Sequence, residues 1–137
     1  MKKILYGLSR KMSVTDLHTF GWRLEDLLKP KLDELFGEPI KKIEGRYSTY
    51  DFETSDYYIE LKCRRSPVTE DTYVDWLVPA CKFKCADKFV VCFYFFEATQ
   101  SLFYIIFCPA EFKTFKITPN RNGQLTYHIP KDRWTKV

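Results

Sequence analysis

Two carboxylates and one lysine are spaced along the chain in a way that suits chemistry at a phosphate. Asp51 stands nine positions before Glu60, and Lys62 follows Glu60 by two. Side chains in a strand alternate between the faces of a sheet, so a strand over residues 57–63 turns Glu60 and Lys62 to one side and Ile59 to the other. The pattern predicts a carboxylate and an ammonium held together on an otherwise apolar strand.

The position of Asp51 decides whether a second carboxylate joins this pair. In an antiparallel hairpin with a loop of two or four residues, Asp51 lies on the same face as Glu60, diagonal to it or directly opposite. A three-residue loop breaks this arrangement unless a bulge resets the register. Two adjacent carboxylates repel each other, and their pairing becomes favourable when a divalent cation sits between them.

The hard carboxylate oxygens of this cluster are ligands that suit Mg²⁺ or Mn²⁺. An ion so placed polarises a phosphoryl oxygen and lowers the pKa of a bound water, while a neighbouring lysine orients that water or stabilises charge on the pentacovalent state. Asp51, Glu60 and Lys62 together therefore predict a metal-dependent phosphodiester hydrolase.

An amphipathic helix is expected upstream of the cluster. Residues 13–16 have the form of a capping box, which predicts a helix start. Apolar residues then recur at three- and four-residue spacing: Leu17, Phe20, Leu24, Leu27 and Leu28. Pro30 either kinks this helix or opens a second one through Leu35, and Gly37 and Pro39 end it.

From residue 47 the apolar pattern changes to that of strands. Residues 47–53 and 57–63 are rich in aromatic and β-branched residues, which predicts a hairpin. Phe89 to Phe96 and Leu102 to Phe107 are continuously apolar, as expected for strands covered on both faces. The predicted architecture is α/β, with a mixed central β-sheet flanked by helices.

Two shorter elements complete the expected fold. Ala80 to Asp87 has the composition of a short helix. Asn122-Gly123 is a strong hairpin signal, and it lies between the strand-like segments 112–117 and 124–129.

The series Asp51-x8-Glu60-Leu61-Lys62 resembles the core signature of the PD-(D/E)XK nuclease superfamily, with Tyr50 where the family often has proline. The resemblance implies a restriction-endonuclease-like core, in which the aspartate begins one strand and the Glu-x-Lys lies on the next. It also implies that the backbone carbonyl of Leu61 completes the metal coordination.

The resemblance further implies an acidic residue on the opening helix that faces the metal. Glu25 is assigned this position, and Glu34 is the alternative. The implied metal ligands are Asp51, Glu60, Leu61 and Glu25, and the implied catalytic residues are Asp51, Glu60, Lys62 and Glu25. The cations assigned to phosphate contacts are Arg64, Arg65, Lys82 and Lys84.

The expected activity is Mg²⁺- or Mn²⁺-dependent endonucleolytic cleavage of DNA. A small chain without an added recognition domain resembles the junction-resolving members of the superfamily, which act as homodimers. Restriction-type, repair and single-strand nucleases stay open as alternatives. So do an RNA endonuclease with the same site and a non-catalytic nucleic-acid-binding module that kept the fold.

Composition sets the frame for these expectations. The 137 residues fit one nuclease domain over 1–137, and 22 Lys/Arg against 18 Asp/Glu exclude a basic tail that coats nucleic acid by charge alone. No apolar run is long enough to span a bilayer.

Five cysteines, an odd number outside any disulfide framework, predict a reducing intracellular compartment, the cytoplasm or the nucleus. Cys81 and Cys85 are expected to pack in the core rather than bind zinc.

Overall fold

In the computed structural model, which describes residues 17–44, 50–83 and 87–137 and their side chains from residue 24 onward, the chain builds a six-stranded sheet. Its strands, in spatial order, are β1 (Lys41–Lys42), β2 (Phe52–Glu53), β3 (Tyr57–Arg64), β5 (Phe89–Phe96), β6 (Ser101–Ile106) and β9 (Thr135–Lys136). Only β3 and β5 run parallel among these described strands. The sheet is therefore mixed, as the sequence predicted.

Helix α1 (Leu17–Phe36) covers one face of this sheet. Leu24, Leu28 and Leu32 recur every four residues and are almost fully buried against the sheet. Pro30 lies inside this single helix, so it does not open a second one. The helix ends before Gly37, whose φ of +68° is a left-handed conformation that glycine adopts without steric cost.

The other face of the sheet is covered by a second, smaller sheet. Its antiparallel strands are β4 (Asp75–Pro79), β8 (Leu125–Pro130) and β7 (Lys116–Pro119), in that spatial order. Trp76, Val78 and Ile129 pack from this sheet against Cys92 and Tyr94 of β5.

The prediction that helices flank the central sheet is therefore wrong for this face. Among the described residues, its helical elements are short: Ala80–Phe83 and Lys131–Arg133, which are 3₁₀ turns, and helix α2 (Pro109–Phe112). The physical reason is long-range pairing, because β4 pairs with β8, some fifty residues later, and joins the β7–β8 hairpin in a sheet that covers this face in place of helices.

The predicted apolar strands are confirmed. Seven of the eight residues of β5 are buried, in two clusters on opposite faces of the sheet. The predicted hairpin around Asn122-Gly123 is also present, with Phe112 in helix α2 rather than in a strand. The predicted cap at residues 13–16 lies outside the described residues.

In the part of the chain that the structure describes, no helix is long and apolar enough to cross a membrane. The cysteines described there, Cys63, Cys81, Cys92 and Cys108, are free thiols.

Candidate functional site

The hairpin of β2 and β3 is regular over two residue pairs. Glu53 pairs with Tyr58 and Phe52 with Ile59, so four residues, 54–57, follow the innermost pair. The regular pairing ends at Phe52, because the N–H of Asp51 donates to the carbonyl of Ile59, the residue already paired with Phe52. The loop has the even length that a shared site requires, but Asp51 lies beside Ile59, beyond the regular register.

Asp51 is held against β3 by two hydrogen bonds. Its backbone N–H donates to the carbonyl of Ile59 at 2.9 Å, and its Oδ2 accepts from the N–H of Leu61 at 2.8 Å. A side chain bonded to the backbone of the neighbouring strand has little freedom to turn away. The carboxylate is therefore fixed beside β3.

Glu60 points toward the face that carries the smaller sheet. It pairs in register with Cys92 of β5, whose side chain belongs to the apolar cluster between the two sheets. Only 4% of Glu60 is exposed. Its Oε1 lies 3.2 Å from Lys62 Nζ and its Oε2 lies 3.5 Å from Lys82 Nζ. Lys82 comes from the 3₁₀ turn after β4, so two different elements bring ammonium groups to one buried carboxylate.

One oxygen of Glu60 lacks a hydrogen bond. Oε2 is buried and accepts none, although Lys82 lies at ion-pair distance. A buried acceptor in this state is rare in proteins, because it has lost its water without gaining a donor. This oxygen is therefore able to coordinate a cation.

Glu25 extends from α1 to Asp51. Its carboxyl group lies within hydrogen-bonding reach of Asp51, and its Oε2 lies 3.9 Å from Lys42 Nζ. Burial and the negative charge of Asp51 raise the pKa of Glu25 to about 8. At neutral pH the Glu25 carboxyl therefore keeps its proton for most of the time.

Glu34, the alternative helix residue, is not part of this cluster. It follows Glu25 by nine positions, which is half a turn around the helix axis. Its side chain is 75% exposed and lies 3.9 Å from Lys31. The structure therefore brings Glu25, and not Glu34, to Asp51.

The charges of Glu60 and Lys62 depend on each other. Burial raises the pKa of Glu60 and Asp51 raises it further, while Lys62 and Lys82 oppose both effects. Burial lowers the pKa of Lys62, but the charge of Glu60 leads the opposing effects, and the net pKa lies above the ordinary value. Lys62 is therefore a cation at neutral pH and cannot serve as a proton acceptor.

The carboxylates are not arranged as a preformed metal cage. Within residues 17–44, 50–83 and 87–137, no three His, Cys, Asp or Glu side chains are grouped closely enough for one. Glu60 faces two ammonium groups, and Glu25 faces Lys42. Asp51 and Glu60 nevertheless suit Mg²⁺, which is bound by one or two carboxylates and keeps several waters.

The cations assigned to phosphate contacts are placed differently from one another. Arg64 lies on the same face as Lys62 and donates from Nη2 to the Tyr94 hydroxyl at 3.2 Å. Arg65 Nε lies 4.0 Å from Glu97 Oε2. Lys82 belongs to the Glu60 cluster, and Lys84 lies outside the described residues.

Sequence reasoning did not assign Lys42 to the site. It lies in β1, which pairs with β2, so its ammonium comes within 3.9 Å of Glu25 and 3.4 Å of Asp26. The only signal in the sequence is the pair Lys41-Lys42 soon after the helix. A two-residue strand has no periodicity from which its partner could be inferred.

Comparison with protein-family models, with curated proteins and with solved structures found no match to this chain.

Proposed function

We propose that the chain is a Mg²⁺-dependent endonuclease that hydrolyses phosphodiester bonds in DNA at the hairpin of β2 and β3. The observation that carries this proposal is that the Asp51 carboxylate accepts a hydrogen bond from the N–H of Leu61, the residue between Glu60 and Lys62, and that Lys62 lies 3.2 Å from Glu60. Burying a charged cluster beside an apolar core costs free energy that hydrophobic residues would not cost. Clusters of this kind concentrate at functional sites.

Each residue of the cluster has a role that follows from its position. Asp51, just before β2, and Glu60 on β3 would hold the ion, with Glu25 beside Asp51 and the carbonyl of Leu61 as a further ligand. A bound Mg²⁺ supplies a Lewis acid for the phosphoryl oxygen and a more acidic water. Lys62, a cation, orients the attacking water and stabilises the negative charge that develops on the phosphate.

The order of elements supports membership of the PD-(D/E)XK superfamily, with a restriction-endonuclease-like core. A helix bearing an acidic residue precedes the Asp51 hairpin, and the Glu-x-Lys strand β3 is followed in the sheet by the parallel strand β5. This chain departs from the pattern in the small sheet that covers the second face. Its family membership is part of the proposal.

One observation favours a second candidate, a non-catalytic nucleic-acid-binding module. Lys62 and Lys82 already compensate Glu60, so the fold holds this carboxylate without needing a metal. A chain in this state would keep the basic surroundings of the site and bind nucleic acid without cutting it.

Cleavage assays separate these two functions. The purified protein is incubated with Mg²⁺ or Mn²⁺ and with linear duplex, single-stranded, flapped and four-way DNA, and with RNA of matched sequence. Metal-dependent cutting that Glu60→Gln abolishes and the matched helix variant Glu34→Gln retains supports the nuclease. Binding without any cutting, with either metal and on every substrate, supports the non-catalytic module. Cutting confined to RNA replaces the DNA assignment by the RNA one.

A further inference from the structure

A cavity of about 480 Å³ opens beside the candidate active site. Arg64 lines it and follows Lys62 by two residues on the same face of β3, at a strand spacing of roughly 6.6 Å. The volume lies in the range of pockets that bind small organic groups. The cavity thus shares one strand and one face of the sheet with Glu60 and Lys62.

The base of the cavity is rigid and aromatic. Trp76, Tyr94 and Phe96 line it and pack on one another, with ring centroids 4.8 to 5.7 Å apart. Each of these rings is at most 4% exposed, so they form a packed support rather than open stacking faces. The indole N–H of Trp76 is buried and donates no hydrogen bond.

The rim carries the groups that a ligand would meet. Tyr73 is 56% exposed, which leaves much of its side chain accessible. The Arg64 guanidinium donates to the Tyr94 hydroxyl, which in turn donates to the Leu77 carbonyl at 2.9 Å. This chain of bonds orients a planar cation that can stack on a base or contact a phosphate. Asp75, also at the cavity, can accept from an exocyclic amine.

We propose that this cavity binds one unpaired nucleobase of the strand whose phosphate lies at Asp51 and Glu60. The inference rests on the proposed function for the position of that phosphate. An accessible aromatic ring and an oriented arginine are the groups that hold single-stranded nucleic acid. A base inside a duplex is stacked and paired, and it would have to leave the helix to enter the cavity. The substrate class is therefore nucleic acid with an unpaired base beside the scissile bond.

The test is a double-mutant cycle between the protein and the oligonucleotide. Binding of a short single-stranded DNA is measured by fluorescence anisotropy in EDTA, so that no cleavage occurs, and a single abasic site is moved along the strand. Tyr73→Ala is expected to weaken binding of the intact strand roughly ten-fold. When the abasic site replaces the nucleotide whose base occupies the cavity, wild type and Tyr73→Ala should bind equally, because Tyr73 then has no base to contact. Tyr73→Phe keeps the ring and should bind like wild type.

Controls show whether the effect is specific. Phe89 is 64% exposed at the other end of the sheet, and Phe89→Ala should leave affinity unchanged. A matched RNA strand identifies which sugar the site prefers, and a blunt duplex should compete weakly. The cavity proposal is overturned if Tyr73→Ala loses the same affinity at every abasic position, or if the duplex competes as well as the single strand.

The two proposals fail in distinguishable ways. If the base-specific coupling is present but the protein never cuts, the cavity assignment stands and the nuclease assignment falls. If the protein cuts through Glu60 but Tyr73→Ala and Arg64→Ala bind and cut all substrates as wild type does, the nuclease stands and the cavity assignment falls.

Discussion

At the scale of single residues, the arrangement around Glu60 separates chemistry from folding. Glu60→Gln keeps the shape of the side chain while it removes a metal ligand, and Lys62→Ala removes the cation beside it. We expect Glu60→Gln to abolish most cleavage and Lys62→Ala to lower kcat roughly 100- to 1,000-fold. Affinity for DNA in EDTA should be equal or tighter in Glu60→Gln, because a negative charge near the phosphates is gone.

These expectations are checked by single-turnover cleavage together with metal-free binding. Circular dichroism controls for folding, since Glu60→Gln removes the negative charge that faces Lys62 and Lys82. Parent-like rates in both Glu60→Gln and Lys62→Ala would mean that the hairpin is an ordinary charged strand.

Glu25 makes the stability of the metal-free protein depend on pH. Its pKa of about 8 in the folded chain exceeds the ordinary value of 4.5, so between these values the folded state binds more protons than the unfolded state. The stabilisation is complete below 4.5 and is lost as the pH rises through 8. The raised pKa of Glu60 acts in the same direction.

We therefore expect the melting temperature in EDTA to fall from about pH 5 to about pH 9. Glu25→Gln should flatten this fall and should be more stable than wild type at the alkaline end. Glu34→Gln, on the exposed side of the same helix, should keep the wild-type profile. An unchanged slope in Glu25→Gln would show that Glu25 does not share a proton with Asp51.

Metal binding should show the reverse dependence on pH. An ion bound at Asp51 and Glu60 competes with the proton on Glu25, because both compensate the same negative charge. Mg²⁺ or Mn²⁺ should therefore bind more tightly as the pH rises and Glu25 loses its proton. At about 100 times Kd, either ion should stabilise the protein by about 2.7 kcal/mol. Calorimetric melting with and without Mn²⁺ measures this shift. Glu60→Gln should remove it, whereas a shift that persists in Glu60→Gln would place the ion elsewhere.

At the scale of elements, α1 positions Glu25 through its buried leucines. Leu28 is fully buried between the helix and the sheet, whereas Leu35 near the helix end is 44% exposed. We expect Leu28→Ala to lower the free energy of unfolding by about 2–5 kcal/mol, because it leaves a cavity. Leu35→Ala is the matched control and should change it by less than about 0.5 kcal/mol. Urea denaturation checks both, and equal losses would contradict the packing of α1.

The elements that were predictable from the sequence are those with a local signal. The leucine stripe of α1, the strands β3 and β5, and the turn at Gly123 follow from periodicity and turn chemistry over a few residues. The small sheet that covers the second face of the central sheet has no such local signal. β4 pairs with β8, some fifty residues later, and the short run Trp76 to Pro79 fits strand or loop equally well.

The same distinction applies to the candidate site. Asp51, Glu60 and Lys62 were assigned from alternation within one hairpin, and the structure has Lys62 3.2 Å from Glu60 and the Asp51 carboxylate hydrogen-bonded to the N–H of Leu61 between them. Lys42 and the Arg64 cavity depend on long-range pairing, which a single sequence does not encode in any local pattern. The roles of all these residues stay predictions until cleavage is measured.

At the scale of the whole molecule, substrate geometry sets the expected assembly. One copy of this chain carries one carboxylate cluster among its described residues, and cutting both strands of a branched DNA symmetrically needs two related sites. We expect light scattering to report a homodimer on four-way DNA. A monomer on every nucleic acid would remove the junction-resolving version and leave a nickase or single-strand nuclease.

The ends of the larger sheet bear on how such a dimer would form. In the described part of the chain, the two outermost strands, β1 and β9, are only two residues long, and both carry lysine. Short, charged outer strands offer few free backbone groups to a neighbouring chain, which protects a sheet against growing by intermolecular strand addition. A second copy should therefore associate through side-chain surfaces and not by extending this sheet, and the same edges should keep the aromatic-rich chain from aggregating as fibrils.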